Sequence, residues 1–95
     1  MRKLRVGIVG CGGIANGKHL PAIKANGGFE IVAFCDLIVE RAEKAKAEYG
    51  TEDARVYTDY QELVKEDLDG IYVLTPNSAH APVTIAALKA GKHVM

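Results

Sequence analysis

Short apolar runs alternate along the chain with longer segments in which apolar residues recur every three or four positions. Four of the runs are almost continuously apolar, as expected for parallel strands covered by helices on both faces. They span Leu4–Val9, Glu30–Cys35, Gly70–Leu74 and His93–Met95, and a weaker one spans Arg55–Tyr57. Strands that alternate with helical patterns are typical of βαβ units, so the sequence predicts an α/β fold around a parallel sheet.

The segments between the strands predict helices of unequal regularity. Val39–Tyr49 places small and aromatic residues on one side and stops at Gly50, which predicts a regular helix. Asp59 and Glu62 have the spacing of a capping box and predict a short helix through about Lys65.

Two further helical segments are predicted, one regular and one interrupted. Asn77 or Ser78 can cap a last helix, which ends at Gly91. Between Ile14 and Ala25, an asparagine, a glycine and a proline disfavour an unbroken helix. For that stretch we expect one turn, a kink and a second segment.

The composition fits a small globular domain. The chain has 95 residues, enough for one domain at most, with 48% apolar and 25% charged residues. Twelve basic residues balance twelve acidic ones without a basic block, which favours neither nucleic acid nor an anionic membrane as a partner. Cys11 and Cys35 have neither disulfide-framework nor metal-ligand spacing, so we expect packing residues in a reducing cytoplasm and no metal site.

A glycine-rich turn follows the first strand. Residues 10–15 are Gly-Cys-Gly-Gly-Ile-Ala, which fits G-x-G-x-x-G/A with alanine in the third place. Gly10 permits a tight turn, Gly12 lacks the Cβ that would keep a pyrophosphate from the backbone, and Ala15 allows close packing of helix and strand. The following helix would direct free N–H groups towards the phosphates. Because glycine turns after strands are common, the motif alone leaves a purely structural turn equally open.

An acidic residue stands where a dinucleotide site needs one. Asp36 ends the second strand, 21 residues beyond Ala15, where its carboxylate can accept hydrogen bonds from the adenosine ribose hydroxyls. It would also repel the extra phosphate of NADP, so we expect NAD to be preferred. The alternative is that Asp36 only caps the next helix. Arg41, one turn into that helix, can stack on adenine, offset the repulsion of NADP, or face solvent.

Two other nucleotide sites have related patterns. Residues 12–18 fit the first part of a Walker A motif, but His19 stands where a serine or threonine would hold magnesium, which argues against it. A methyltransferase that binds S-adenosylmethionine also has a glycine loop followed by an acid on the second strand. Its loop does not have to seat a pyrophosphate, so the helix packing that Ala15 allows counts against this alternative but leaves it open.

The loop after the fourth strand is a second candidate site. Residues 75–80 are Thr-Pro-Asn-Ser-Ala-His, and in a doubly wound sheet the first and fourth strands are neighbours where the strand order reverses. The loop would face Gly10 across the ligand crevice. Pro76 would fix it, and Thr75 and Asn77 would offer hydrogen bonds to a ribose or carboxamide. The alternative is that its polar residues only cap the following helix.

Five segments occur together in a characteristic order and spacing. They are Val6–Ala15, His19–Ala22, Cys35–Asp36, Thr75–His80 and Gly91–Met95. In this combination the chain resembles the glucose-fructose oxidoreductase, inositol dehydrogenase and rhizopine-catabolism (Gfo/Idh/MocA) family. Members mostly oxidise or reduce sugars, cyclitols and related polyols with NAD or NADP.

The resemblance also assigns cofactor contacts. It implies that the pyrophosphate meets Gly12, Gly13 and Ile14. It implies that the adenosine meets Asp36 and Arg41. The ribose and nicotinamide side would meet Thr75, Pro76, Asn77 and His80.

The chain departs from the family after its last strand. The resemblance implies a Glu-Lys-Pro segment whose lysine takes part in catalysis, and then a substrate domain, whereas this sequence ends at Met95. Lys89 and Lys92 precede the end of the last strand and cannot replace that lysine, and the histidines have no evident carboxylate partner. We therefore expect residues 1–95 to be the N-terminal part of a dinucleotide-binding domain, without catalytic residues or turnover, and with the substrate domain absent.

The expected fold is a doubly wound, Rossmann-type parallel sheet of about five strands in the order 3-2-1-4-5, which makes an incomplete dinucleotide domain. Its fifth strand would leave an apolar edge open, so we expect a homo-oligomer formed through that edge. Two hypotheses for function follow. Either the chain is the NAD-binding portion of a sugar, cyclitol or polyol dehydrogenase, or it is a truncated or engineered half-domain that only self-assembles.

Overall fold

Five parallel strands form one sheet with helices against it in the computed structural model, which describes residues 4–11, 20–74 and 77–94. The strands are β1 (Leu4–Val9), β2 (Phe29–Cys35), β3 (Arg55–Tyr57), β4 (Gly70–Val73) and β5 (His93–Val94). The helices are α1 (Leu20–Asn26), α2 (Val39–Tyr49), α3 (Tyr60–Leu63) and α4 (Asn77–Lys89). The strand order β3-β2-β1-β4-β5 confirms the predicted doubly wound, Rossmann-type sheet.

The sheet separates two apolar cores. On one face, α1 and α2 pack on side chains from the central strands, and the buried members include Val6, Ile8, Leu20, Ile23 and Phe34. On the other face, α3 and α4 pack on a second set, which includes Val9, Leu63, Ile71, Val83 and Ala87. Because β1 and β2 contribute to both cores, their sequences are apolar at nearly every position, as predicted for strands covered on both sides.

A bulge in β2 sets which of its residues face which core. Val6 pairs with Ile31 and Gly7 pairs with Ala33, so Val32 is an extra residue between two successive pairs. As a result, Ile31 belongs to the core under α1 and α2, whereas Val32 and Ala33 both belong to the other core. The sequence pattern did not predict this irregularity.

Helix α2 has the predicted bounds, but it ends for a different reason than predicted. Gly50 has a φ of −87° and a ψ of 167°, so it is not the left-handed glycine that commonly follows a helix. A Cβ at Gly50 would lie 2.7 Å from Phe34 Cε2 and 3.0 Å from the Lys46 carbonyl oxygen. The glycine is therefore required by lack of space. By contrast, Gly91 after α4 does adopt a positive φ of 78°.

The other helices differ from prediction at their ends. Asp59 is the N-cap of α3 as expected, but its Oδ1 accepts from the N–H of Gln61 at 2.9 Å, and the helix ends at Leu63 instead of Lys65. Helix α4 begins at Asn77, which places that residue in the helix instead of before it. Helix α1 is the predicted second segment, and the predicted first turn lies outside the described residues. None of the helices in the described ranges is long and apolar enough to cross a membrane.

Candidate dinucleotide-binding site

The carboxyl ends of β1, β2 and β4 lie side by side, because Val9 pairs with Cys35 on one side and with Val73 on the other. The residues that directly follow these strands are thus gathered at one edge of the sheet, and they are Gly10, Asp36 and Leu74. In doubly wound sheets, ligands bind in the crevice at this edge, where the strand order reverses. The predicted phosphate turn and the predicted acidic residue therefore lie next to each other.

Gly10 makes the turn at the end of β1. Its φ is 99°, a conformation that residues with a Cβ rarely adopt, and its N–H donates to the Cys35 carbonyl oxygen at 2.8 Å. The predicted need for glycine at this position is confirmed. Gly12, Gly13 and Ile14, which follow in the motif, lie outside the described residues.

The Asp36 carboxylate bridges two backbone amides. Its Oδ2 accepts from the N–H of Cys11 at 2.8 Å, and its Oδ1 accepts from the N–H of Ile38 at 2.9 Å. Ile38 is itself the N-cap of α2, and that helix has no side-chain cap hydrogen bond. Asp36 is therefore not the N-cap of α2, and its carboxylate also holds the first peptide of the glycine turn. The contact between Asp36 and the first peptide of the glycine turn was not predicted.

The two residues after Asp36 form an exposed apolar surface. Leu37 is 90% exposed and Ile38 is 45% exposed, although both are large aliphatic side chains. Arg41 lies in the first turn of α2 and is exposed, and its N–H donates to the Ile38 carbonyl oxygen at 3.0 Å. The site therefore presents a carboxylate flanked by apolar surface, with a guanidinium close by along the chain.

The two cysteines are packing residues, as predicted. Cys11 and Cys35 are both buried and both free. Burial, together with the negative charge of Asp36, raises the pKa of Cys11 to about 12 and the pKa of Cys35 to about 11. Both side chains are consequently neutral thiols at physiological pH and are poor nucleophiles.

The second predicted loop is only partly described. Thr75 and Pro76 lie outside the described residues. Asn77 and His80 belong to the first turn of α4, and only their backbone is described. The segment from Gly12 to His19, including the Walker-like pattern, also lies outside the described ranges. The predicted roles of these residues stay predictions.

The residues that are described fit a bound dinucleotide. Each carboxylate oxygen of Asp36 accepts one backbone N–H and keeps acceptor capacity for a hydroxyl group. Asp36 is also partly exposed, so a ribose can reach it. The glycine conformation at the end of β1 brings the backbone of the phosphate turn next to that carboxylate. This arrangement fits a dinucleotide whose ribose hydroxyls lie at Asp36 and whose diphosphate lies at the glycine turn.

One surface cleft of the described ranges lies elsewhere. It is lined by the last turns of α2, the following loop and β3, with Glu43, Lys46, Arg55 and Tyr57 among its residues. Its lining is of mixed charge and does not include Asp36. Within the described part of the chain, no three potential metal-binding side chains come together. The candidate site is therefore located by the geometry of the strand ends.

Together, the doubly wound sheet, the glycine turn and the carboxylate at the adjacent strand end define a dinucleotide-binding domain. Residues 4–95 match the model of an oxidoreductase family with an NAD-binding Rossmann fold, known as Gfo/Idh/MocA. The chain belongs to this family, which confirms the resemblance inferred from the sequence motifs.

Individual relatives support the same assignment. The chain is 38% identical over 92 residues to inositol 2-dehydrogenase of Salmonella typhimurium, covering 96% of this chain and 27% of the relative. It is 37% identical over 95 residues to dTDP-3,4-didehydro-2,6-dideoxy-alpha-D-glucose 3-reductase of Streptomyces violaceoruber, covering 100% and 27%. A 3-ketoreductase from Actinomadura kijaniata, solved with NADP and TDP-benzene, has a TM-score of 0.89 at 33% identity over 99% of this chain and 28% of that chain. The chain thus spans little more than a quarter of the length of these relatives.

Proposed function

We propose that this chain is the NAD-binding portion of an oxidoreductase that transfers hydride between a nicotinamide cofactor and a sugar, cyclitol or related polyol. The observation that carries the proposal is the Asp36 carboxylate, which lies at the end of β2 and accepts from the N–H of Cys11 at 2.8 Å in the glycine turn after β1. A sugar substrate class is supported by two relatives, an inositol 2-dehydrogenase and a reductase of a nucleotide-linked sugar. Residues 1–95 would form the N-terminal part of the dinucleotide domain.

Within this proposal the chain binds and orients the cofactor, and the cofactor supplies hydride transfer when it is bound. Gly10 and the residues after it, Gly12, Gly13 and Ile14, would hold the pyrophosphate through backbone N–H groups. Asp36 would hold the adenosine ribose, and Arg41 would lie beside the adenine. The nicotinamide side would contact Thr75, Pro76, Asn77 and His80. None of the 95 residues is proposed as a catalytic residue.

We expect NAD to bind more tightly than NADP. A 2′-phosphate would stand next to the negatively charged Asp36, and the exposed side chain of Leu37 offers it no hydrogen-bond donor. The NADP complex of the 3-ketoreductase is a property of that relative. Neutralising Asp36 would remove both the ribose hydrogen bonds and the repulsion of the phosphate.

The test is calorimetric titration of the chain with NAD(H) and NADP(H). Asp36→Ala should weaken NAD(H) binding by about ten- to a hundredfold, because hydrogen bonds to a charged group contribute about 1.5–3 kcal/mol. The same change should affect NADP(H) much less. Asp69→Ala is the matched control, since Asp69 Oδ2 also accepts from a backbone N–H, that of Arg5 at 2.8 Å, but lies just before β4, at the opposite edge of the sheet from the glycine turn. Tighter binding of NADP(H) than of NAD(H) by the unaltered chain would contradict the assignment of Asp36.

The second hypothesis, assembly without cofactor, has its own structural support. Strand β5 pairs with β4 through Gly70 with His93 and Ile71 with Val94, and it stands last in the strand order. An edge strand presents unpaired backbone groups that another copy can pair with, so a homo-oligomer through β5 is expected. Sedimentation velocity over a dilution series tests this: a chain that stays monomeric at every concentration rules it out. Self-association without any response to NAD(H) would favour assembly as the sole property.

The proposed compartment is a reducing one, the cytoplasm. Cys11 and Cys35 are free thiols in this structure, as is usual for proteins of reducing compartments. No nucleic-acid or membrane partner is proposed, because the net charge is zero and the charges are interspersed.

A further inference from the structure

The Asp36 carboxylate connects two turns that are far apart in the sequence. Its hydrogen bond to the N–H of Ile38 spans two residues and is a local turn of a kind common for aspartate. Its hydrogen bond to the N–H of Cys11 spans 25 residues and joins the end of β2 to the first peptide after Gly10. Neither N–H takes part in the hydrogen-bond ladder of the sheet. The carboxylate therefore accepts from an amide in each of the two turns and joins them.

The peptide that Asp36 holds is one whose orientation needs fixing. It follows Gly10, and a glycine has more accessible backbone conformations than any other residue. The Cys11 side chain adds one weak anchor, because its Sγ donates to the Cys35 carbonyl oxygen at 3.5 Å. The bond from the Cys11 N–H to the carboxylate is the charge-assisted member of this set, and such bonds are about twice as strong as neutral ones.

We propose that Asp36 is a positioning residue for the phosphate turn, separately from any contact it makes with a ribose. By holding the Cys11 peptide in one orientation before a ligand arrives, it preorganises the start of the loop that would receive the pyrophosphate. This part of the inference rests on the proposed function. We call the two hydrogen bonds from Asp36 to the N–H groups of Cys11 and Ile38 the clamp. They leave acceptor capacity on both carboxylate oxygens, so a ribose hydroxyl can bind Asp36 without displacing the clamp.

Substitutions at Asp36 can separate the clamp from the negative charge. An asparagine offers one acceptor oxygen and a donor NH2 group, so Asp36→Asn can satisfy only one of the two backbone amides. Asp36→Ala satisfies neither. Both changes remove the negative charge of Asp36. Removal of this charge would, by itself, strengthen the binding of a diphosphate nearby. Loss of the clamp and loss of the charge therefore shift phosphate affinity in opposite directions.

The first experiment measures amide hydrogen exchange by NMR in the chain without ligand. In Asp36→Ala, the N–H groups of Cys11 and Ile38 should exchange about ten- to a hundredfold faster than in the unaltered chain. In Asp36→Asn, one of the two should keep its protection. Exchange of the Ile8 amide in β1 reports unfolding of the whole chain, and the comparison is made relative to it. Asp59→Ala should expose the N–H of Gln61 and leave that of Cys11 unchanged.

The second experiment uses an NAD analogue with a 2′,3′-dideoxyadenosine, which cannot donate ribose hydrogen bonds. The titration is made in about 1 M salt, which screens the effect of the lost charge on the diphosphate. If Asp36 positions the turn, Asp36→Ala then weakens binding of this analogue by about tenfold. If Asp36 acts through the ribose alone, the analogue binds Asp36→Ala as well as or better than the unaltered chain, and the inference is overturned.

The two experiments also separate the inference from the proposed function. A chain that binds no NAD(H) at all refutes the proposed function, and the clamp is then decided by hydrogen exchange alone. Unchanged exchange of the Cys11 amide in Asp36→Ala overturns the clamp even if NAD(H) binds.

Discussion

At the scale of single residues, the backbone conformation of Gly10 is the strictest requirement of the candidate site. With φ at 99°, any residue with a Cβ is strained, at a cost of about 1–3 kcal/mol. Gly10→Ala should lower the free energy of unfolding in urea by that amount and also weaken NAD(H) binding. Gly27→Ala is the control, because Gly27 has a φ of 77° with nothing within 4 Å of its would-be Cβ, far from the site. It should lose stability and keep its affinity; an unstrained Gly10→Ala would refute this account.

The sequence predicted some of these residue-scale features and not others. The motif predicted Gly10 and Asp36 at adjacent strand ends, because the glycine spacing and the position of the acid follow from strand length and topology. It did not predict the bond between Asp36 and the Cys11 amide, which depends on the orientation of one peptide plane in a turn. The exposure of Leu37 was likewise not foreseen, since apolar residues after a strand are as readily buried as exposed.

At the scale of elements, the end of α2 depends on a close contact. Gly50 has an ordinary negative φ, and replacing such a glycine by alanine usually stabilises a protein by about 0.4–1 kcal/mol. Here the added Cβ would meet a backbone oxygen at 3.0 Å and the Phe34 ring at 2.7 Å, and neither can move freely. Gly50→Ala should therefore lower the free energy of unfolding by about 1–3 kcal/mol in urea titrations. Unchanged or increased stability would show that the ring has room to shift.

The outlines of the elements were largely predictable. Continuous apolar runs located the strands because both faces of the sheet are covered, and the bounds of α2 followed from its periodicity. The bulge at Val32 could not be predicted, since it arises from the pairing of β2 with β1 and leaves no mark in an apolar run. The length of α3 was overestimated because capping residues mark where a helix begins but do not fix its last turn.

At the scale of the whole molecule, the strand order followed from the sequence because alternating strands and helices allow few topologies. Two cores of comparable extent then hold the sheet from both sides. The same strand order places β5 at the edge of the sheet, where it pairs with β4 on its inner side. The outer side of β5 and the exposed Ile85 and Leu88 on α4 are surface features, which a topology argument does not assign to a partner.

The buried thiols make the stability of the whole molecule sensitive to alkali. An ordinary cysteine has a pKa of 9.0, whereas burial raises the pKa of Cys11 to about 12 and the pKa of Cys35 to about 11 in the folded chain. Below pH 9 both states keep their protons, so the stability is fully present. Above it the unfolded chain releases protons that the folded chain retains, and stability falls as pH rises towards the folded pKa values.

Between pH 8 and pH 10 this linkage should lower the free energy of unfolding by about 1 kcal/mol per cysteine. Urea titrations at pH 8, 9 and 10 measure it, and the window stays below the raised pKa of Tyr57, which would add to the effect at higher pH. A double variant, Cys11→Ala with Cys35→Ala, should be less stable at pH 8 because it leaves small cavities, yet should depend less on pH. The slope, and not the absolute stability, is decisive: equal slopes in the two chains would mean that folding does not raise the pKa values of the two thiols, and the buried environment assigned to them would be wrong.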